Sequence, residues 1–120
     1  MRGFFEAQYP YSGNRGSFAP AVADYVEDVV LAADTLVRVP IPAGARFALF
    51  SFDGDFRLRL GVSNTTFALP SATSTNGTGS ILNPAARRIP ETLGDGTTVP
   101  THLCLRAPAA CKGSIEFYGG

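Results

Sequence analysis

The run Phe47-Ala48-Leu49-Phe50-Ser51-Phe52-Asp53-Gly54-Asp55-Phe56-Arg57-Leu58-Arg59-Leu60 constrains this chain more than any other. Two apolar segments flank Asp53-Gly54, a dipeptide that strongly marks a β-hairpin. With Asp53 and Gly54 as the turn, Phe52 pairs with Asp55, Ser51 with Phe56, Leu49 with Leu58 and Phe47 with Leu60. Ser51, Phe56, Leu49, Leu58, Phe47 and Leu60 then share one side, the predicted core face. The other side carries Ala48, Phe50, Phe52, Arg57 and Arg59, with Phe50 opposite Arg57. A solvated strand face is polar as a rule, so aromatic and arginine side chains there mark a contact surface.

The rest of the chain reads as short strands separated by turns. Val29-Val30-Leu31, then Ala32-Ala33-Asp34-Thr35, then Leu36-Val37-Arg38-Val39 predict strand, turn, strand, because β-branched residues outweigh a possible helical face through Val22, Val26, Val29 and Val30. Pro40, Pro42 and Gly44 end the second of these strands. Thr66-Phe67-Ala68-Leu69 predicts a short strand stopped by Pro70. Ser71 to Ser80 is a polar surface loop, and Leu93 to Pro100 is a second loop around Asp95-Gly96. Between them, Asn83 as N-cap and Pro84 as first helical residue predict a short helical turn. Thr101 to Arg106 and Ser114 to Tyr118 alternate as strands joined through a hairpin at Ala107–Gly113. Leu103, Leu105, Ile115 and Phe117 point inward there; His102, Arg106, Glu116 and Tyr118 point outward.

These elements add up to an all-β fold, a β-sandwich of jelly-roll type, with one short helical turn. Residues 1–20, holding Phe4, Phe5, Tyr9, Tyr11 and Phe18 with no regular period, are an extended N-terminal arm. Disordered segments are poor in aromatics, so the arm packs on its own domain or on a neighbour. Residues 21–120 form a single domain.

Ten basic and ten acidic residues leave no net charge, which argues against a nucleic-acid binder needing a basic surplus. Arg outnumbers Lys nine to one. Either an interface that favours the guanidinium or a GC-rich genome produces that ratio. No apolar run approaches the roughly twenty residues of a membrane span, and the first residues lack a secretory h-region. Cytoplasmic synthesis is the expectation, with Cys104 and Cys111 as reduced thiols; a disulfide across their seven-residue separation is sterically conceivable.

No catalytic constellation emerges. His102 is the single histidine and sits mid-strand beside no nucleophile. One His with two Cys matches no zinc spacing, and Asp53-Gly54-Asp55 lacks the later oxygen ligands of a calcium loop. Asn76-Gly77-Thr78-Gly79-Ser80 lacks the lysine of a phosphate loop. No enzyme, cofactor or metal is expected.

Several phrases together carry a resemblance: Val39-Pro40-Ile41-Pro42-Ala43-Gly44-Ala45-Arg46-Phe47, the central run, Asn76 through Ile89, Leu105 through Cys111, and Ile115-Glu116-Phe117-Tyr118. Across Leu36 to Tyr118 the chain resembles the small β-sandwich virion proteins that decorate or cement the capsids of tailed bacteriophages. The resemblance implies a structural protein of the virion that stabilises the shell by binding the major capsid protein. Its place is then the capsid surface, after assembly in the host cytoplasm. It also implies a homo-oligomer acting through many weak contacts. Phe50, Phe52, Arg57 and Arg59, with Phe4, Phe5, Tyr9 and Tyr11 of the arm, are the expected interface. The alternatives are a tail or fibre component binding a host surface glycan, and a small carbohydrate-active enzyme with two converging carboxylates.

Overall fold

The computed structural model describes residues 1–3 and 20–119. Eight strands run in order: β1 (Tyr25–Leu31), β2 (Val37–Pro40), β3 (Phe47–Phe52), β4 (Arg57–Gly61), β5 (Ile81–Leu82), β6 (Ala86–Arg88), β7 (His102–Arg106) and β8 (Cys111–Tyr118). They make two four-stranded antiparallel sheets packed as a sandwich, β1-β8-β3-β6 (sheet 1) and β2-β7-β4-β5 (sheet 2). Among the described residues there is no helix. Most of the expected arm, with Phe4, Phe5, Tyr9 and Tyr11, lies outside the described residues.

The pairing is nested. β1 pairs with β8, β2 with β7, β3 with β6 and β4 with β5. Further pairings, β3 with β8 and β4 with β7, join these ladders into sheets. Every connection except the one from β4 to β5 passes from one sheet to the other.

The core lies where the two inner faces meet. Leu31, Leu105, Ile115 and Phe117 are fully buried, with Val29, Val39, Ala48, Phe50, Phe56, Leu58 and Leu103 packed around them. Each large side chain so placed contributes about 1.5–3 kcal/mol relative to exposure. The inward set expected for the last two strands, Leu103, Leu105, Ile115 and Phe117, is the one found. Tyr118, expected to point outward, is instead almost wholly buried. Its register does direct it away from the core, but residues before β1 cover it, and its hydroxyl donates to the Ala21 carbonyl at 2.7 Å.

Asp53-Gly54 does not make a hairpin. β3 and β4 belong to different sheets, so the expected pairs Leu49–Leu58 and Phe47–Leu60 do not form. A two-residue hairpin turn of type I′ needs positive φ at both central residues. Among the described residues positive φ occurs at Asp34, Gly44, Gly77, Asn83 and Gly96, and at neither Asp53 nor Gly54. The corner is fastened to the start of β8 instead. Asp53 N–H donates to the Lys112 carbonyl at 3.0 Å, and the Lys112 N–H donates to Asp53 Oδ1 at 2.9 Å. A side chain on Gly54 would meet Cys111 Cβ at 3.0 Å. The phase of β3 is therefore the reverse of that expected: Ala48, Phe50 and Phe52 face inward, and Phe47, Leu49 and Ser51 face out. The Phe50 and Phe52 rings lie 6.1 and 4.2 Å from that of Phe56, filling the space between the sheets under the corner.

Asn83-Pro84 does not start a helix. Asn83 has φ 48° and turns the chain from β5 to β6, again from one sheet to the other. Its Oδ1 accepts the Phe56 N–H at 3.0 Å, its own N–H donates to the Phe56 carbonyl at 3.0 Å, and its Nδ2 donates to Asp55 Oδ1 at 2.9 Å. One asparagine thus ties both sheet-to-sheet corners together. Nor is there a hairpin at Ala107–Gly113, since β7 and β8 lie in different sheets, and Thr66–Leu69 forms no strand. The turn after β1 is as expected, with Asp34 at φ 51°.

The loop around Asp95 is held by that carboxylate, which accepts the N–H groups of Thr97 and Thr98, each at 2.9 Å, and the Thr98 hydroxyl. The hydroxyl and amide of Thr98, acting on the ionised form, bring the Asp95 pKa down from 3.8 to about 2. A pKa depressed on folding stabilises the folded chain above the unfolded value near 3.8. That contribution disappears as pH falls through about 2. Thr98→Val should move the carboxyl titration, followed by NMR, back toward 3.8. An unmoved titration would mean that the hydroxyl does not hold the carboxylate.

Candidate functional site

The outer face of sheet 2 gathers four of the nine arginines. Alternation along β2, β7 and β4 turns Val37, Val39, Leu103, Leu105, Leu58 and Leu60 inward. Arg38, Arg106, Arg57 and Arg59 consequently point outward. Register sets Arg38 and Arg59 on either side of Cys104, and Arg57 directly beside Arg106. The Arg106 Nη1 donates to Asp34 Oδ1 and to the Asp34 carbonyl, both at 2.9 Å, while its buried Nε has no hydrogen-bond partner. Asp34 is the sole carboxylate paired with these four cations among the described residues.

The long connection from β4 to β5 folds back over this face. Arg38 Nε donates to the Thr65 carbonyl at 2.8 Å, Arg59 Nη1 to the Gly79 carbonyl at 2.7 Å, and Arg57 Nη1 to the Ser80 carbonyl at 3.2 Å. Thr65 Oγ1 accepts the Val62 N–H at 2.9 Å and so turns the chain at its start. Asn76 Oδ1 organises the far end, accepting the Ser74 hydroxyl at 2.9 Å and the Thr78 hydroxyl at 2.5 Å. Between loop and strand lies a cleft of about 530 Å³, lined by Arg57 and Arg59 of β4 and by Phe67, Pro70, Ser74, Thr78 and Ser80 of the loop. Among the described residues no Asp or Glu lines it.

Cys104 sits under this loop, fully buried, its thiol 3.7 Å from the Thr65 carbonyl. Burial pushes its pKa up against the opposing pull of Arg38 and Arg59. Cys111 begins β8 in the other sheet, and both cysteines are free thiols. His102 shares the outer face with the arginines, its Nδ1 2.8 Å from Thr101 Oγ1. No group of three or more metal-ligating side chains occurs among the described residues.

The chain matches no family model, no curated protein and no solved structure.

Of the eight expected interface residues, Arg57 and Arg59 are outward-facing and lie together in the cleft lining. Phe50 is a core residue and Phe52 packs against that core, so neither faces a partner as the expected hairpin required. Phe4, Phe5, Tyr9 and Tyr11 lie outside the described residues. Arg106 points outward as expected, but neither it nor Arg38 was among the expected interface residues. Val37-Arg38-Val39 and Leu105-Arg106 each show the alternation that turns an arginine outward, but only the β2-β7-β4 order brings the four together.

The outer face of sheet 1 differs in character. Val26 and Val30 of edge strand β1 are 47% and 74% exposed, beside Asp28, Glu116 and Leu49. Residues 1–3 and 20–24 lie at this end. Arg2 N–H donates to Asp24 Oδ1 at 3.0 Å, and Gly119 N–H donates to the Arg2 carbonyl at 2.6 Å.

Proposed function

We propose that this chain is a structural virion protein with a jelly-roll fold, decorating a tailed-phage capsid by binding the major capsid protein in many copies. The observation that carries the reading is the nested pairing of eight strands, first with last and inward to β4 with β5, split over two four-stranded sheets. That pairing supports the jelly-roll reading of the sandwich, an architecture used by viral capsid proteins, lectins and cupins. A fold does not name a function, so the reading also rests on the resemblance and on the arrangement of surfaces. Phe50 and Phe52 drop out of the interface because they are interior. Arg57 and Arg59 sit on the outer face of sheet 2, on the side of the sandwich away from residues 1–3 and 20–24. The proposed shell contact takes in exposed Val22, Val26 and Val30, and keeps Phe4, Phe5, Tyr9 and Tyr11, which lie outside the described residues, as expected from the sequence.

Co-sedimentation with shells that lack the protein, before and after expansion, tests this reading. Saturable, stoichiometric binding is expected. Val26→Asp combined with Val30→Asp should lower occupancy at least about tenfold, through lost apolar contact multiplied over many copies. Both sites are exposed, but Val26→Asp sets a carboxylate opposite Glu116 and beside Asp28, so the fold should lose about 1 kcal/mol per site, and a melt showing the variant still folded accompanies the binding assay. Absence of binding by the unaltered protein would sink the proposal. A second reading, a tail or fibre component that recognises a host glycan, is favoured by one feature, the cleft over β4.

A further inference from the structure

We infer that the cleft between β4 and the loop over it binds a carboxylated saccharide, a uronate or sialate unit of an acidic glycan, with the sugar carboxylate on Arg57 and Arg59. This goes beyond capsid decoration and concerns the opposite face of the molecule. It holds whether the protein coats a shell or sits on a tail.

The first argument is unbalanced charge. Arg57 and Arg59 each donate one Nη1 hydrogen bond to a loop carbonyl, Ser80 and Gly79 respectively. A carbonyl holds the guanidinium in place without neutralising it. Each guanidinium has five N–H donors in a planar fork that matches a carboxylate, so most of that capacity is still open. Among the described residues neither arginine has a carboxylate partner, and none lines the cleft. Neighbouring Arg106, beside Arg57 in the ladder, adds a further cation that Asp34 answers alone. The cleft therefore wants an anion.

The second argument distinguishes the kind of anion. The hydroxyls of Ser74 and Thr78 both donate to Asn76 Oδ1. Those two protons are engaged at Asn76, so these hydroxyls offer lone pairs, while the hydroxyl of Ser80, which also lines the cleft, can donate or accept. A sugar supplies what such a lining needs, several O–H donors spaced around a ring. An acidic peptide could offer these acceptors its backbone N–H groups but not donors spaced around a ring, and it is therefore a comparison ligand in the test. Phe67 and Pro70, also in the lining, add apolar surface for the C–H face of a pyranose. The roughly 530 Å³ volume lies within the range of small-ligand sites, which combine apolar lining with a few convergent polar groups.

The third argument is preorganisation. The loop is tied to the sheet at Thr65 by Arg38 and at Gly79 and Ser80 by Arg59 and Arg57, and its tip is tied internally by Asn76. The two ends of the loop and its Ser74–Thr78 turn are thus held before a ligand arrives, which lowers the ordering cost of binding there.

An amide NMR titration of the whole chain tests the inference, with trigalacturonate and sialyllactose as probes. Maltotriose, a Glu-rich peptide and a short single-stranded DNA serve as comparisons. Saturable shifts confined to residues 57–59 and 66–80 are expected with at least one acidic saccharide, and binding of neutral maltotriose at least about tenfold weaker. Raising salt from about 50 to about 300 mM should weaken the acidic ligand several-fold. Arg57→Gln and Arg59→Gln should each reduce affinity about tenfold. Should either variant unfold, Arg59→Lys, which keeps the charge but loses the fork, and Phe67→Ala provide the same comparison in a folded chain. No shift with either acidic saccharide overturns the inference. So does equal or tighter binding of the peptide or the DNA at the same residues. Shell co-sedimentation involves no saccharide, so its outcome fails or succeeds separately.

Discussion

Gly113→Ala should destabilise the protein by about 3 kcal/mol or more, because the added methyl would meet backbone that cannot move aside. Gly113 lies in β8 opposite Phe52 of β3. A Cβ there would overlap the Ser51 carbonyl oxygen and lie 2.6 Å from both Cα and Cγ of Phe52. Overpacking relieved by a side-chain rotation costs about 1–3 kcal/mol; here the β3–β8 ladder itself must open, which costs more. Thermal melting should show a fall of roughly 10–15 °C for a domain of this size. Gly94 is the matched control, since nothing lies within 4 Å of its virtual Cβ and its φ is not positive. Gly94→Ala should leave stability unchanged or raise it by about 0.4–1 kcal/mol through the unfolded chain. Equal melting temperatures for the two variants would mean that β8 does not press on β3 at this point.

Asn83→Ala should cost about 2–5 kcal/mol, from two separable sources. A left-handed conformation at φ 48° penalises a Cβ that lacks local hydrogen bonding by about 1–2 kcal/mol. Removing Oδ1 also leaves the Phe56 N–H, next to a buried ring, without its acceptor, at about 1–3 kcal/mol. Asn83→Gly removes the first source and keeps the second, so it should fall between wild type and alanine in urea unfolding. If glycine and alanine are equally harmful, the backbone conformation contributes nothing and the hydrogen bonds contribute everything. Wild-type stability in both would show that the two corners stand without the asparagine.

What the residues revealed in advance, and what they hid, follows one physical line. Strand phase was readable where one side of the alternation is polar, as in Leu103–Arg106 and Ser114–Phe117. It was unreadable in Phe47–Phe52, where Phe47 and Leu49 are as apolar as Ala48, Phe50 and Phe52 and both phases look like a core. Turn chemistry was readable as a change of direction only. Asp53-Gly54 and Asn83-Pro84 both bend the chain, but local propensity does not record whether the next strand stays in its sheet. The answer came from partners 59 residues away for Asp53 and 27 for Asn83. In the same way Arg57 and Arg59 were legible as outward-facing from their spacing, whereas Arg38, Arg106 and the covering loop joined them through non-local pairing. Burial of Tyr118 likewise depended on Ala21, at the other end of the chain.

The nested pairing also dictates an order of events during synthesis. Tyr25 is hydrogen-bonded in register with Phe117, so the earliest strand waits for the latest. At about 5–20 residues per second the ribosome needs roughly 5–20 s to deliver that partner. During that interval Val29 and Leu31 have no sheet to lie against. The one ladder available without a change of sheet is β4 with β5, whose ends are joined by the loop that roofs the arginine cleft. Closing that loop brings β3 and β6 together next, then β2 and β7, and last β1 and β8, each step shortening the remaining closure. Pulse-labelled hydrogen exchange should find protection first in Arg57–Gly61 and last in Tyr25–Leu31. The cleft is thus formed at the zipper's starting end, and is complete before the edge strand at the opposite face has found its place.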